Sequence, residues 1–282
     1  MAVLVGVHGM AKHQLGRHQL MPAWSLALAD GVERAVGRRV APPEVDIAFY
    51  GDLFLPVSPQ AGTKSPDDAD VFEQVSEQEW QEIADGLAEL VGEEEVAAAT
   101  GRPDMGYTRV PVPLQAVLRA IDRRFGAASA ILVVGVLRQV RRYLRETVDK
   151  AAIDARVAES VGGDCRVLIG HSLGSVVAYE YLRTHPDHQV QLLLTVGSPL
   201  GLRMVRGRLP MTGMEVPRWV NVRDRRDPVA CAGQLRRWWP QIAEADELVV
   251  GNGADTHGVE RYLSRRQTGE VLVAALPQLA DG

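Results

Sequence analysis

Ser172 stands in the run Gly170-His171-Ser172-Leu173-Gly174, with a glycine two residues away on either side. The apolar run 166–170 before it predicts a strand, and 176–184 after it predicts a helix. A turn that sharp has no space for bulky flanking side chains, which accounts for glycine at both positions. The turn exposes the hydroxyl at the end of the sheet. The following helix points its N-terminus at the same place, where developing negative charge is favoured. Such a serine can act as a nucleophile. At neutral pH it needs a base to take its proton and an acid to hold that base in one tautomer.

Two later loops supply both groups, in the order acid then base. A strand predicted over 218–222 runs into Arg223-Asp224-Arg225-Arg226-Asp227-Pro228-Val229. Asp224 and Asp227 compete for the acid role, and the chain reversal at Asp227-Pro228-Val229 favours Asp227. A strand over 247–250 is followed by Gly251-Asn252-Gly253 and then His257-Gly258. His257 is the one histidine of seven that follows the last predicted strand, and it is read as the base. Asp255 is expected to cap the helix over 259–263. His13, His18, His185 and His188 read as solvated loop residues.

Charge developing on a substrate oxygen needs two backbone N–H donors. Leu173, just after the nucleophile, supplies one. The other is expected from the loop after the first strand, His8-Gly9-Met10, with Met10 as donor and Gly9 letting the backbone come close. Gly9 and His171 are expected to border the substrate.

These residues need a framework that brings several strand ends together. Strands are predicted at 2–7, 45–50, 166–170, 191–196, 218–222 and 247–250, with helices between them. Short apolar strands alternating with helices predict a mostly parallel sheet of about six strands, covered on both faces. The segment 10–20 reads as a loop and 22–36 as a helix. Ser65-Pro66-Asp67-Asp68 and Ser76-Glu77-Gln78-Glu79 read as helix starts. After the second, Trp80, Ile83, Ala84, Leu87, Leu90 and Val91 recur at helical spacing. That stripe is either core packing or a lid over an apolar site. Further helices are predicted over 114–125 and through most of 127–161, with Gly135 as a candidate break. The chain is read as one α/β domain with a helical insertion or cap at 53–128.

The formal net charge of −5 gives no overall footprint for nucleic acid. The longest uncharged apolar stretch, 126–137, falls short of the roughly 20 residues of a spanning helix. With no basic, apolar leader at the start, a cytoplasmic location is expected. Cys165 and Cys231 show no metal-ligand spacing and read as reduced core thiols. Acids dominate 65–104 and arginines dominate 203–237. An acidic cap on a basic face would explain this, but two separate solvated faces are the preferred reading.

At His8-Gly9, Gly170-His171-Ser172-Leu173-Gly174, Asp227-Pro228-Val229 and His257-Gly258 the chain resembles the α/β-hydrolase superfamily. It looks like the lipase, esterase and thioesterase branches, whose elbow also reads G-H-S-L-G, and Gly197-Ser198-Pro199 adds to that likeness. The resemblance implies a nucleophile elbow, a Ser172-Asp227-His257 triad and an acyl-serine intermediate attacked by water. It implies neither metal nor cofactor. Two features depart from the family: the usual first antiparallel strands are not read, and the large insertion precedes the elbow. Cleavage of a carboxylic ester or thioester, with a small-molecule acyl substrate, is the first expectation. Amide or peptide hydrolysis and acyl transfer use the same triad. A non-catalytic interaction domain, meeting a protein partner through the insertion and Trp238-Trp239, is the most distant reading.

Overall fold

Among the described residues, six strands form a single sheet: β1 (Leu4–Val7), β2 (Asp46–Ala48), β3 (Val167–His171), β4 (Leu192–Val196), β5 (Arg218–Asp224) and β6 (Glu247–Val250). The structure, a computed structural model, describes residues 2–9, 15–54, 71–72, 75–87, 89–100, 107, 110–145 and 147–281. The strand order is β2-β1-β3-β4-β5-β6, and every pairing is parallel. This is the expected α/β architecture. The strands read as unbroken apolar runs because both of their faces are covered: β3 and β4 are buried at every residue.

Alternation along each strand divides its side chains between two helical layers. Leu4, Ile169 and Leu194 face α1 (Arg17–Val36), α9 (Val259–Leu263) and α10 (Arg266–Ala275), where Trp24, Leu28, Tyr262 and Leu272 close the layer. Val5, Leu168, Leu193 and Trp219 face the opposite layer. That layer contains α2 (Glu77–Leu87), α3 (Glu93–Ala99), α4 (Val112–Phe125), α5 (Ser129–Arg145), α6 (Thr147–Ser160), α7 (Leu173–Thr184) and α8 (Arg203–Arg206). Trp80, Ile83, Leu87, Leu90 and Val91 are buried in it, so their stripe packs into the same core as this face of the sheet. Each fully buried aliphatic or aromatic side chain contributes roughly 1.5–3 kcal/mol.

Several local expectations need correction. The first helix starts at Arg17, five residues before Pro22, so His18 is helical. Its N-terminus is closed by the Gln19 side chain, which accepts the Gly16 N–H at 2.9 Å. Gly135 does not interrupt α5, where it is buried. The region 127–161 contains two helices instead. Helix α10 packs against α1 and was not read from the sequence. The acidic and basic segments are not wholly separate: Glu82 of α2 meets Arg208 at 3.2 Å, and Glu89 meets Arg206 at 3.3 Å. Arg138 and Arg141 of α5 pair with Glu79 and Glu82. The two segments thus meet at Glu82 and Glu89, while Arg218 and Arg236 pair with Asp246 and Glu244. The helix start at 65–68 lies outside the described residues. Among those described, no helix is long and apolar enough to cross a membrane.

The chain leaves β1 toward β2 on one side and later returns to place β3 on the other. Strand order therefore reverses at β1. In an open parallel sheet, the crevice at the carboxyl ends beside such a reversal is where ligands bind. His8-Gly9 and Ser172 follow the two strands that border it.

Candidate active site

Ser172 joins β3 directly to α7 with φ 53° and ψ −126°. A non-glycine residue is strained there, and the surroundings hold it in place. Ser172 N–H donates to Val196 O at 3.2 Å. Ser175 Oγ donates to Ser172 O at 2.6 Å and lies 2.7 Å from Ser198 Oγ. The flanking glycines have an additional role beyond the turn itself. A Cβ on Gly174 would lie 2.0 Å from Val7 O and 2.6 Å from His8 O, so α7 docks onto the end of β1 only with glycine there. A Cβ on Gly9 would lie 2.6 Å from Ser172 Cβ, which puts the loop after β1 against the elbow. Leu173 is the first residue of α7, so its N–H has no intrahelical acceptor. Met10 lies outside the described residues.

His257 follows β6, and its Nδ1 lies 2.8 Å from Oδ2 and 3.0 Å from Oδ1 of Asp227. Asp227 is fully buried. Its Oδ1 accepts Val229 N–H at 2.9 Å, the chain reversal that Pro228 begins, and its Oδ2 accepts the Tyr262 hydroxyl at 2.7 Å. With an amide donor on Oδ1 and a hydroxyl donor on Oδ2, the carboxylate acts as an acceptor, so the imidazole contact is made by Nδ1–H, which leaves the Nε2 lone pair open. Among the described residues, Ser172 Oγ and His257 Nε2 are both buried without a hydrogen-bond partner. Gly197, next to Val196, lies against Asp227 and His257: a Cβ there would be 3.0 Å from Asp227 Oδ2 and 3.3 Å from His257 Cε1.

Asp224 is at the end of β5, two strand positions beyond the predicted run. It accepts the N–H of Arg226 at 2.8 Å and of Asn252 at 2.5 Å, tying the loops after β5 and β6 together. His171 is buried, with its ring 4.8 Å from that of His257 and its Nε2 2.8 Å from His257 O. It therefore touches the backbone of His257. Asp255 does not cap α9, whose N-cap is Gly258 with no side-chain cap bond.

By residue type Tyr262 and Asn252 carry no sequence signal beyond those of a core aromatic and a turn residue, and His8 is expected from the sequence only as part of the loop after β1. His8 Nε2 accepts Tyr50 N–H at 3.1 Å, so the contact of Nδ1 with Gly9 O at 2.8 Å is a donation, and the ring is a neutral Nδ1–H tautomer. Tyr50 stacks on it at 4.2 Å. The one available signal for Tyr262 was its place on the helix that follows His257. Trp239 is fully buried and donates to Leu200 O at 3.2 Å, while Trp238 is half-buried under Arg206. Both cysteines are free, and burial pushes the Cys165 and Cys231 thiols up to about 12. Among the described residues, no group of His, Cys, Asp or Glu has the geometry to hold a metal ion.

No family model, curated protein or solved structure matches this chain.

Proposed function

We propose that this chain is a serine hydrolase of the α/β-hydrolase type that cleaves a carboxylic ester or thioester of a small-molecule acyl substrate. The observation that carries the reading is a His257 whose Nδ1 is held by Asp227 and whose Nε2, like the Oγ of the strained Ser172, is buried without a hydrogen-bond partner among the described residues. The groups follow β3, β5 and β6 in the order serine, acid, histidine, the order expected of an elbow nucleophile.

The chemistry follows from those positions. Ser172 Oγ attacks the acyl carbon as its proton passes to Nε2 of His257. Asp227 stays a carboxylate and stabilises the imidazolium. Negative charge collects on the former carbonyl oxygen, near the Leu173 N–H at the start of α7, with Met10 as the expected second donor. Collapse breaks the bond to the leaving alcohol or thiol, which takes the proton from Nε2. Water then attacks the acyl-serine, giving its proton to Nε2. Breakdown of that second intermediate releases the acid and returns the proton to Ser172. None of these steps requires a cofactor.

The test is turnover of matched esters, thioesters and amides by the wild type and by Ser172→Ala, with product analysis in the presence of a competing alcohol. Ester or thioester hydrolysis that is lost in Ser172→Ala supports the reading. Turnover confined to amides moves the assignment to peptide or amide cleavage, and accumulation of a new ester moves it to acyl transfer. No turnover of any acyl substrate removes the reading.

A further inference from the structure

We infer that Tyr262 is a positioning residue for the proposed triad: its hydroxyl holds Asp227 against Nδ1 of His257 and thereby decides which imidazole nitrogen faces Ser172. The inference rests on the hydrolase reading above. Tyr262 lies on α9, five residues after His257, and is fully buried. Its oxygen meets two groups. Asp224 N–H, at 3.0 Å, can only donate to it. A hydroxyl has a single proton, so that proton must go to Asp227 Oδ2 at 2.7 Å. The direction of the contact is thus fixed by the backbone of Asp224, the residue that also ties down the loop after β6.

The consequence reaches His257. Tyr262 donates to Oδ2 and Val229 N–H donates to Oδ1, so Asp227 receives a proton contact on each oxygen besides that of the imidazole. A carboxylate held in this way cannot rotate away from Nδ1 without losing both contacts. Cε2 of Tyr262, Oδ2 of Asp227 and Cε1 of His257 meet over Gly197, 3.0, 3.0 and 3.3 Å from where a Cβ would sit, so the three side chains pack together over a position that glycine leaves open. Burial and then the Asp227 charge push the phenol far above its ordinary ionisation range, so it remains a donor at every working pH.

The titratable and charged groups around this chain of contacts are His171 from the end of β3, Asp224 and Arg223 from β5, and Cys231 from the loop after Asp227. His171 meets His257 through the main chain, and the Cys231 thiol stays protonated because burial and then the Asp227 charge raise it. None of them donates to the Asp227 oxygens in place of Tyr262.

The experiment compares the wild type, Tyr262→Phe and a protein with 3-fluorotyrosine at position 262, each with its folding checked by melting. With an activated ester, Tyr262→Phe is expected to lose roughly 10- to 100-fold in kcat with little change in KM. The acid limb of its rate profile should move to higher pH, because a carboxylate short of one donor holds the imidazolium more tightly. The fluorinated phenol keeps the shape and donates more strongly, so it should move the limb the other way, and it decides the matter if Tyr262→Phe does not fold. The His257 Nδ1–H proton resonance, read without substrate, provides the same comparison independently of turnover. A resonance that shifts in a protein with no acyl turnover would retain the positioning role while removing the hydrolase reading. A limb and a resonance that are unchanged in the folded variants overturn the inference.

Discussion

Nδ1 of His257 lies 2.8 Å from Oδ2 of Asp227, while Asp224, three residues earlier, gives its oxygens to the backbone amides of Arg226 and Asn252. The two aspartates therefore have separable tasks. Asp227→Asn removes the acceptor that fixes the imidazole tautomer and should lower kcat by about 10⁴-fold. Asp224→Asn keeps that acceptor. It should cost less than about tenfold in rate and show itself mainly as lower stability, from two weakened backbone contacts. Steady-state kinetics and a melt of each variant check the assignment, and the reverse order of rate losses would move the acid to position 224.

The backbone of Ser172 makes a second prediction. Its φ of 53° lies in a region where a Cβ is strained, at a cost of order 1–3 kcal/mol. Glycine escapes that strain but brings a more flexible unfolded chain, a loss of about 1 kcal/mol or less. Ser172→Gly should therefore melt at or above Ser172→Ala, the reverse of the usual order for these two residues. Thermal melts of the two variants decide it, and an alanine variant that is clearly more stable would mean the elbow is not strained.

A buried acid outside the site gives a pH signature. Glu180 on α7 accepts from Arg183 at 2.7 and 3.1 Å and lies 3.5 Å from Lys150 Nζ. Burial raises its carboxyl, but the Arg183 bonds and the Lys150 charge outweigh that and leave it below the ordinary value. A depressed carboxylate contributes stability that is fully present above its unfolded pKa, about 4.3, and is lost as pH falls through the lower folded value. Glu180→Gln should cost about 1–3 kcal/mol at neutral pH. The gap to wild type should narrow in acid, as seen in denaturant melts, and a gap that ignores pH would contradict the assignment.

How much of this was legible in the sequence depended on local signals. The strands were, because doubly covered strands must be apolar throughout, as β3 and β4 are. The placement of Ser172, Asp227 and His257 after β3, β5 and β6 was legible because each follows an apolar run and the elbow glycines carry a steric signature. The start of α1 was not, since Gly16 is an unremarkable N-cap and Pro22 suggested a later boundary. The docking of the acidic α2 on Arg206 and Arg208 was also hidden, because charge runs carry no information about what packing brings opposite them. Tyr262 was missed for a similar reason: an aromatic at core spacing looks the same whether or not its hydroxyl meets a carboxylate.

The most direct measurement of the central claim is reaction of the purified protein with a fluorophosphonate probe, with the modified residue identified by mass spectrometry. The account predicts a single label on Ser172, absent in Ser172→Ala and lost or greatly slowed in a folded His257→Ala variant. A folded wild type that takes no label at Ser172, or labelling that proceeds unchanged without His257, would contradict it.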